Sequence, residues 1–422
     1  MSRSELVKTI TNTRRSIVKI IRTVFPPFDV LWAWCMAKRG GNIIIKKRPV
    51  SVKEYCEGHG EKYHVVETEQ KRCVYEPAYF EGPEGEEHYY EAKEIYIAEL
   101  KNVIVHGGTG LMFAGNSVLT DVVANDPEGR VKYTFGPIRR GTRRNFYIEV
   151  SNIIEEVECA INLCGMAAFN YYHLTIEILS RFEYVRDYLS SNSTTILLDE
   201  DTRKFPQYID LISTIVGDNR IAFVPHYSKV HCGKVIYPAM NTWMPMNVRH
   251  KYDFRMSDNI IAKSAVDNIR NATEQYRKKS AGRKIFISRK NVSFSRIQNE
   301  QEVVELFKNS GYEIVCTEEY ALKEQIELFS TAECVVSASG AALTNMVYCN
   351  PGTVFGCIIP QKYEFCIYST IAHMVGCKIL FLDAEVSKAS SAISIEQCKV
   401  DLHCCAKYIL ALEDLTKRNA SE

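Results

Sequence analysis

Three residues at four-residue intervals in "FNYYHLTIEILSRF", His173, Glu177 and Arg181, carry an imidazole, a carboxylate and a guanidinium. On an α-helix that spacing keeps them within about an 80° arc of one face. A carboxylate beside an imidazole can take a proton from a hydroxyl. Glu177 would be the base, His173 its orienting neighbour or the next candidate, and Arg181 the charge balance. The same spacing also serves ordinary i, i+4 stabilisation of an exposed helix. A second group, Arg289, Lys290 and Arg296 in "FISRKNVSFSRIQNE", gathers three cations after an apolar run. Such a group suits a diphosphate, arginine offering paired donors, and it equally suits a solvated basic loop.

The run "VVSASGAALTN", residues 335–345, gives up side chains at Ser339, Gly340 and Ala341 and resumes toward Thr344 and Asn345. Strand, small turn and helix in that order let a pyrophosphate reach backbone amides, and tight strand–helix packing asks for the same residues. Asp199-Glu200-Asp201, after "TTILL", is a rival site: an Asp-x-Asp at a strand end can hold a divalent metal. Acidic residues also favour helix starts there. "GGTG" at 107–110 reads as a hairpin turn, since no helix pattern follows it.

The elements that would position these residues fall into two patterns. Residues 41–160 read as mostly β, with short runs such as "NIIIKK", "EIYIAEL" and "NVIVHGG" between polar and glycine turns. From about 153, strands and helices alternate. "VECAINL", "TTILLDE", "IAFVP" and "KVHCGKVIYP" read as strands, with helices at 170–189 and in "FPQYIDLISTIVG". A long helix is expected over about 256–279. Strands "RKIFISR", "YEIVCTE", "ECVVSAS" and "GTVFGCII" then alternate with helices "NEQEVVELFKNSG", "LKEQIELFSTA" and "AALTNMVYC", and "KILFLD" closes the series. The pair Asn299 and Glu302 suits a capping box. Strands joined this way imply a doubly wound parallel sheet. The Pro-, Met- and Asn-rich stretch 240–256 marks the expected boundary. The division is a segment 1–40, domains 41–250 and 251–390, and terminal helices over 391–422.

The chain has 422 residues, 46% apolar and 24% charged, with a formal net charge of +1. These are the proportions of a globular protein with a sizeable core, and the balanced charge argues against nucleic acid as a partner. Fifteen cysteines without regular spacing read as buried thiols of a reducing compartment. Residues 1–25 form a basic amphipathic pattern, with Lys8, Arg15, Lys19 and Arg22 on one stripe, ended by Pro26-Pro27 and followed by Trp32 and Trp34. Such a segment suits an anionic membrane surface and equally suits packing on the protein itself.

The ordered series from "RKIFISRKNVSFSRIQNE" through "SGAALTN" to "NPGTVF", with "FNYYHLTIEILSRF" and "IAELKNVIVHGGTGLMF" upstream, resembles glycosyltransferase family 61 over roughly residues 90–385. The resemblance implies an α/β fold of GT-B type, two Rossmann-like domains facing a cleft, with a β-rich N-terminal portion. It implies an inverting, metal-independent hexosyl- or pentosyltransferase that uses a nucleotide-diphospho-sugar, UDP-linked, and a glycan acceptor in polysaccharide or capsule assembly. Arg289, Lys290, Arg296, Ser339, Gly340, Ala341, Thr344 and Asn345 would bind the donor, and Glu177, His173 and Arg181 would be catalytic. The expected location is cytoplasmic, peripheral on the inner membrane face. Two positions depart from the family pattern: Ser339 stands where His is common, and Gly356 near a common acidic site. They motivate an alternative, an inactive nucleotide-sugar-binding or scaffold protein. A second alternative is a metal-dependent transferase using Asp199 and Asp201.

Overall fold

The computed structural model describes residues 44–68, 71–190, 194–249, 253–279, 282–290, 296–360, 366–388 and 397–419. The basic N-terminal segment lies outside them. No helix among the described residues is long and apolar enough to cross a membrane.

Two sheets organise the chain. The smaller has five strands in the order Glu313–Val315, Arg283–Ile287, Ala332–Ala338, Val354–Ile358, Lys378–Leu382, all parallel. Its strands alternate between two buried faces, as fully covered parallel strands do. Phe286, Cys334, Val336 and Val354 pack with Val303 and Phe307 of helix Glu300–Asn309 and with Tyr408 and Leu412 of helix Leu402–Asn419. Ile285, Ile287, Val335 and Phe355 face the opposite way, against helices Leu322–Ser330 and Ile367–Val375. Taken in chain order the strand sequence is 2-1-3-4-5. Its direction reverses between Arg283–Ile287 and Ala332–Ala338, which is where an open sheet of this kind forms its crevice.

The larger sheet has eleven strands. Four of them, Ile221–Val224, Thr194–Asp199, Ile153–Asn162 and Lys229–Pro238, lie side by side and parallel. The long strand Ile95–His106 then pairs antiparallel with Lys229–Pro238 and starts a remainder that is antiparallel except where Ile44–Val50 runs parallel to Ser117–Leu119. The expected parallel Rossmann-like pattern thus holds for the smaller sheet and for four strands of the larger one; the whole is a mixed α/β fold. Helices Pro206–Val216, Lys263–Ala272, Leu322–Ser330 and Ile367–Val375 lie between the sheets. One apolar core runs through them, joining Ile161, Ile196 and Ile236 to Ile285, Val335 and Phe355.

Several expectations need correction. The helix expected over 170–189 is a π-helix at His173–Ile178, then a 3-10 turn, a short α-helix Phe182–Val185 and a further 3-10 segment. The long helix at 256–279 is an α-helix only over Lys263–Ala272, preceded by a two-residue strand at Ile260–Ile261. Residues 341–348 form a 3-10 helix. "EIYIAEL" and "NVIVHGG" belong to one strand, and an α-helix at Val52–His59 interrupts the expected β region. Asn299 caps nothing: its side chain bonds the backbone of Val400 instead. The turn at 107–110 is present, between antiparallel strands. Among the described residues every cysteine is a free thiol, and most are buried.

Candidate functional site

The crevice of the five-stranded sheet is built from the ends of the two adjacent strands at which the strand order reverses. Arg283–Ile287 runs into Ser288 and Arg289, and Ala332–Ala338 runs into Ser339 and Gly340. Glu300, at the start of its helix, accepts from the Arg289 amide at 2.6 Å and from the Ser288 hydroxyl at 3.1 Å, and so fixes the first turn. On the other side Gly340 is extended (φ 174°). A methyl group there would lie 2.7 Å from Nη1 of Arg289. The glycine is therefore the seat of the guanidinium, which brings Arg289 of one sequence group against Gly340 of the other.

Arg296 completes the pair. Burial holds the guanidinium of Arg289 below its ordinary range, Glu300 opposing this. Burial lowers Arg296 as well, and the charge of Arg289 adds to the effect. Two partly desolvated cations are thus held within each other's field. Nε of Arg289, Nε and Nη1 of Arg296 and the hydroxyl of Ser339 are buried without a hydrogen-bond partner among the described residues. Buried donors are rarely left so, and phosphate oxygens would satisfy them. Lys290 is exposed, and its charge weakly opposes the burial and the nearby glutamates that raise the Cys316 thiol. Asn345 is buried and donates to Gln325 at 3.4 Å, tying the 3-10 helix to Leu322–Ser330. Thr344 is likewise buried, while Ala341 is partly exposed beside Gly340.

The second cluster follows strand Ile153–Asn162. Within the π-turn the Leu179 amide reaches back to the carbonyls of both Leu174 and Thr175. Such wide turns recur at functional sites. His173 Nδ1 lies 2.6 Å from Glu177 Oε2. A carboxylate only accepts, so Nδ1–H donates and Nε2 is left to take a proton. Oε1 of Glu177 is buried without a partner among the described residues. Burial pulls the His173 imidazole down, but the charge and hydrogen bond of Glu177 together outweigh it and raise it above 6.5. Arg181 departs from the expected row: it is buried and donates to the Pro238 carbonyl at 3.2 Å, at the end of strand Lys229–Pro238.

Two tyrosines that the sequence reading passed over join the clusters. Buried Tyr172 lies within electrostatic reach of Glu177 and of Tyr368. Tyr368 is within reach of Arg296 and Arg289, and its hydroxyl meets the Gly340 amide. The only sequence signal for Tyr172 was its place beside His173; Tyr368 sits on Ile367–Val375, a helix the periodicity left unassigned.

Against a set of protein families, residues 171–356 match the description Glycosyltransferase 61. Residues 171–356 belong to glycosyltransferase family 61. The matched span contains both clusters, from His173 to Gly340, and supports a glycosyltransferase. No curated protein matches the chain.

Asp199 is buried, accepting from the amides of Gly165 (2.7 Å) and Gly108. Burial pushes its carboxyl up to about 6, the two amides opposing. Asp201 instead faces His226 at 2.7 Å. Among the described residues no group of three or more His, Cys, Asp or Glu is arranged to hold a metal. At Gly356 a side chain would meet the Tyr408 hydroxyl at 2.6 Å. The position faces Tyr408 and Leu412 of the terminal helix.

Proposed function

We propose that this glycosyltransferase transfers a hexose or pentose, with inversion, from a nucleotide-diphospho-sugar to a glycan acceptor. The observation that supports it most is the pairing of Arg289 and Arg296 at the crevice of the parallel sheet, their buried nitrogens lacking partners, joined through Tyr368 and Tyr172 to His173 and Glu177. In this reading Arg289, Arg296, Ser339 and Ala341 hold the diphosphate as its charge grows. Lys290 steers from outside, and Thr344 and Asn345 support the turn. Glu177 takes the proton of the acceptor hydroxyl while that oxygen bonds the anomeric carbon and the carbon–phosphate oxygen bond breaks. His173 orients the carboxylate, and Arg181 anchors the turn to Pro238. The domains, 41–250 and 251–390, would act as the two faces of a GT-B cleft, with donor on the second and acceptor on the first. A UDP-linked donor, polysaccharide or capsule assembly, and a cytoplasmic site on the inner membrane face, reached through residues 1–40, complete the proposal. No metal is required in it.

A panel of nucleotide sugars and oligosaccharide acceptors tests this, with product anomers read by NMR and a parallel series after dialysis against EDTA. Inverted product, undiminished by EDTA, is expected. Retention of configuration would overturn the mechanism. Loss with EDTA, restored by a divalent cation, would return the metal role to Asp199 and Asp201. Nucleotide binding without transfer to any acceptor would favour the second reading, a binding protein without turnover, which Ser339 motivates.

A further inference from the structure

A cavity among the described residues is lined by none of the residues of the two clusters. It has a volume of about 440 Å³, within the range of small-molecule sites. Its aromatic side is formed by Trp243 and Tyr90, both only partly buried. They pack on the small cluster Val74, Ala92, Ile260 and Cys366. The rings are thus held from behind with part of their surface free.

The polar side is rich in charge yet internally balanced. Arg130, 7% exposed, meets Asp258 through both terminal nitrogens at 2.7 Å. Arg255 meets Glu128 at 3.0 Å. Arg72 lies 3.9 Å from Glu67 and donates to the carbonyls of Asn241 and Lys93. Asp126 is filled by the amides of Arg130 and Val131 and the hydroxyl of Tyr133. A net-charged ligand finds no unmatched opposite charge among these pairs. A neutral ligand dense in hydroxyls finds lone pairs and N–H groups that fixed ion pairs still offer, and Nε of buried Arg130 has no partner among the described residues. The aromatic faces carry partial negative charge and favour the C–H face of a pyranose ring.

The cavity is also wired to the catalytic turn. Pro238 accepts from Arg181, Asn241 Nδ2 donates to Ser180 at 2.7 Å, and Trp243 follows two residues later. Trp243 lies five positions beyond Pro238, about 17 Å at full extension.

We infer that the Trp243 cavity is a binding subsite for a neutral oligosaccharide, engaging sugar units of the acceptor remote from the reacting hydroxyl. Its assignment to the acceptor rests on the transferase reading; the binding of neutral sugar does not. The test needs no donor. The full-length protein is titrated with maltotetraose, cellotetraose, xylotetraose, chitotetraose and, as a charged comparison, tetragalacturonate, by calorimetry and tryptophan fluorescence. At least one neutral tetrasaccharide is expected to bind with a fluorescence change. Trp243→Ala should weaken it at least tenfold, while Trp243→Phe retains most of the affinity. Circular dichroism confirms that the variants fold, and Arg255→Ala, at a half-exposed pair, should weaken binding severalfold without that risk. Absence of binding by all four neutral sugars, equal binding by Trp243→Ala, or preference for tetragalacturonate would each overturn the subsite. Each would leave the donor reading, tested separately at Arg289, standing.

Discussion

Arg289 and Gly340 lie more than fifty positions apart, yet each explains the other: the glycine leaves the space that the guanidinium fills. Arg289→Ala should weaken binding of UDP by about 2 kcal/mol, the size of a lost charged hydrogen bond. Gly340→Ala should weaken it too, with little change in melting temperature, because the group displaced is the end of a flexible side chain. Calorimetric titration checks both; wild-type affinity in Arg289→Ala would reduce the basic loop to surface. At the other cluster the sign of the His173 shift sets the pH behaviour. Its folded value is raised, so its contribution to stability is complete below 6.5 and is lost as pH rises through the folded value. Transfer should climb over that same range, above 6.5, as the imidazolium that weakens Glu177 as a base is discharged. Glu177→Gln should cut transfer at least about 100-fold and move the NMR titration of His173 downward, since burial then acts alone. An unmoved titration would show that the two side chains are not paired.

At the scale of elements, what could be read in the chain followed from how local each cause is. The five parallel strands are short apolar runs bounded by turns, and all five were legible. The i, i+4 relation of His173 and Glu177 was legible too, because a π-turn and an α-turn both bring such residues together; the type of turn was not. The runs "EIYIAEL" and "NVIVHGG" read as separate, with Lys101 between them. Asn102 instead takes a left-handed conformation, φ 51°, and pairing resumes beyond it at Val103. Asn299 had the composition of a cap, but its partner, Val400, is about a hundred residues away, and no local pattern encodes that. The Trp243 cavity was hidden for the same reason: its walls come from four separated stretches, and the boundary expected at 240–256 supplies one of them.

For the whole molecule the decisive feature is the core shared between the sheets. Because Ile161 and Ile236 of one sheet and Val335 and Phe355 of the other belong to one apolar cluster, unfolding either sheet exposes the other's packing surface. A single thermal transition is therefore expected, followed by both near- and far-ultraviolet dichroism, and UDP should shift the entire transition upward by binding the folded state alone. Two transitions, with only one moved by UDP, would contradict the shared core. The seam is reinforced by polar ties: the Tyr171 and Tyr348 hydroxyls are 2.7 Å apart, and Arg270 donates to the Val347 and Cys349 carbonyls at 2.6 and 2.9 Å. For anyone wishing to graft a new donor specificity onto this scaffold, the seam sets a rule. Exchanging the region after residue 250 for that of a relative would strand half of a jointly packed interior, so chimeras need to carry the helix Pro206–Val216 with the transplanted sheet, or to redesign the faces where they meet.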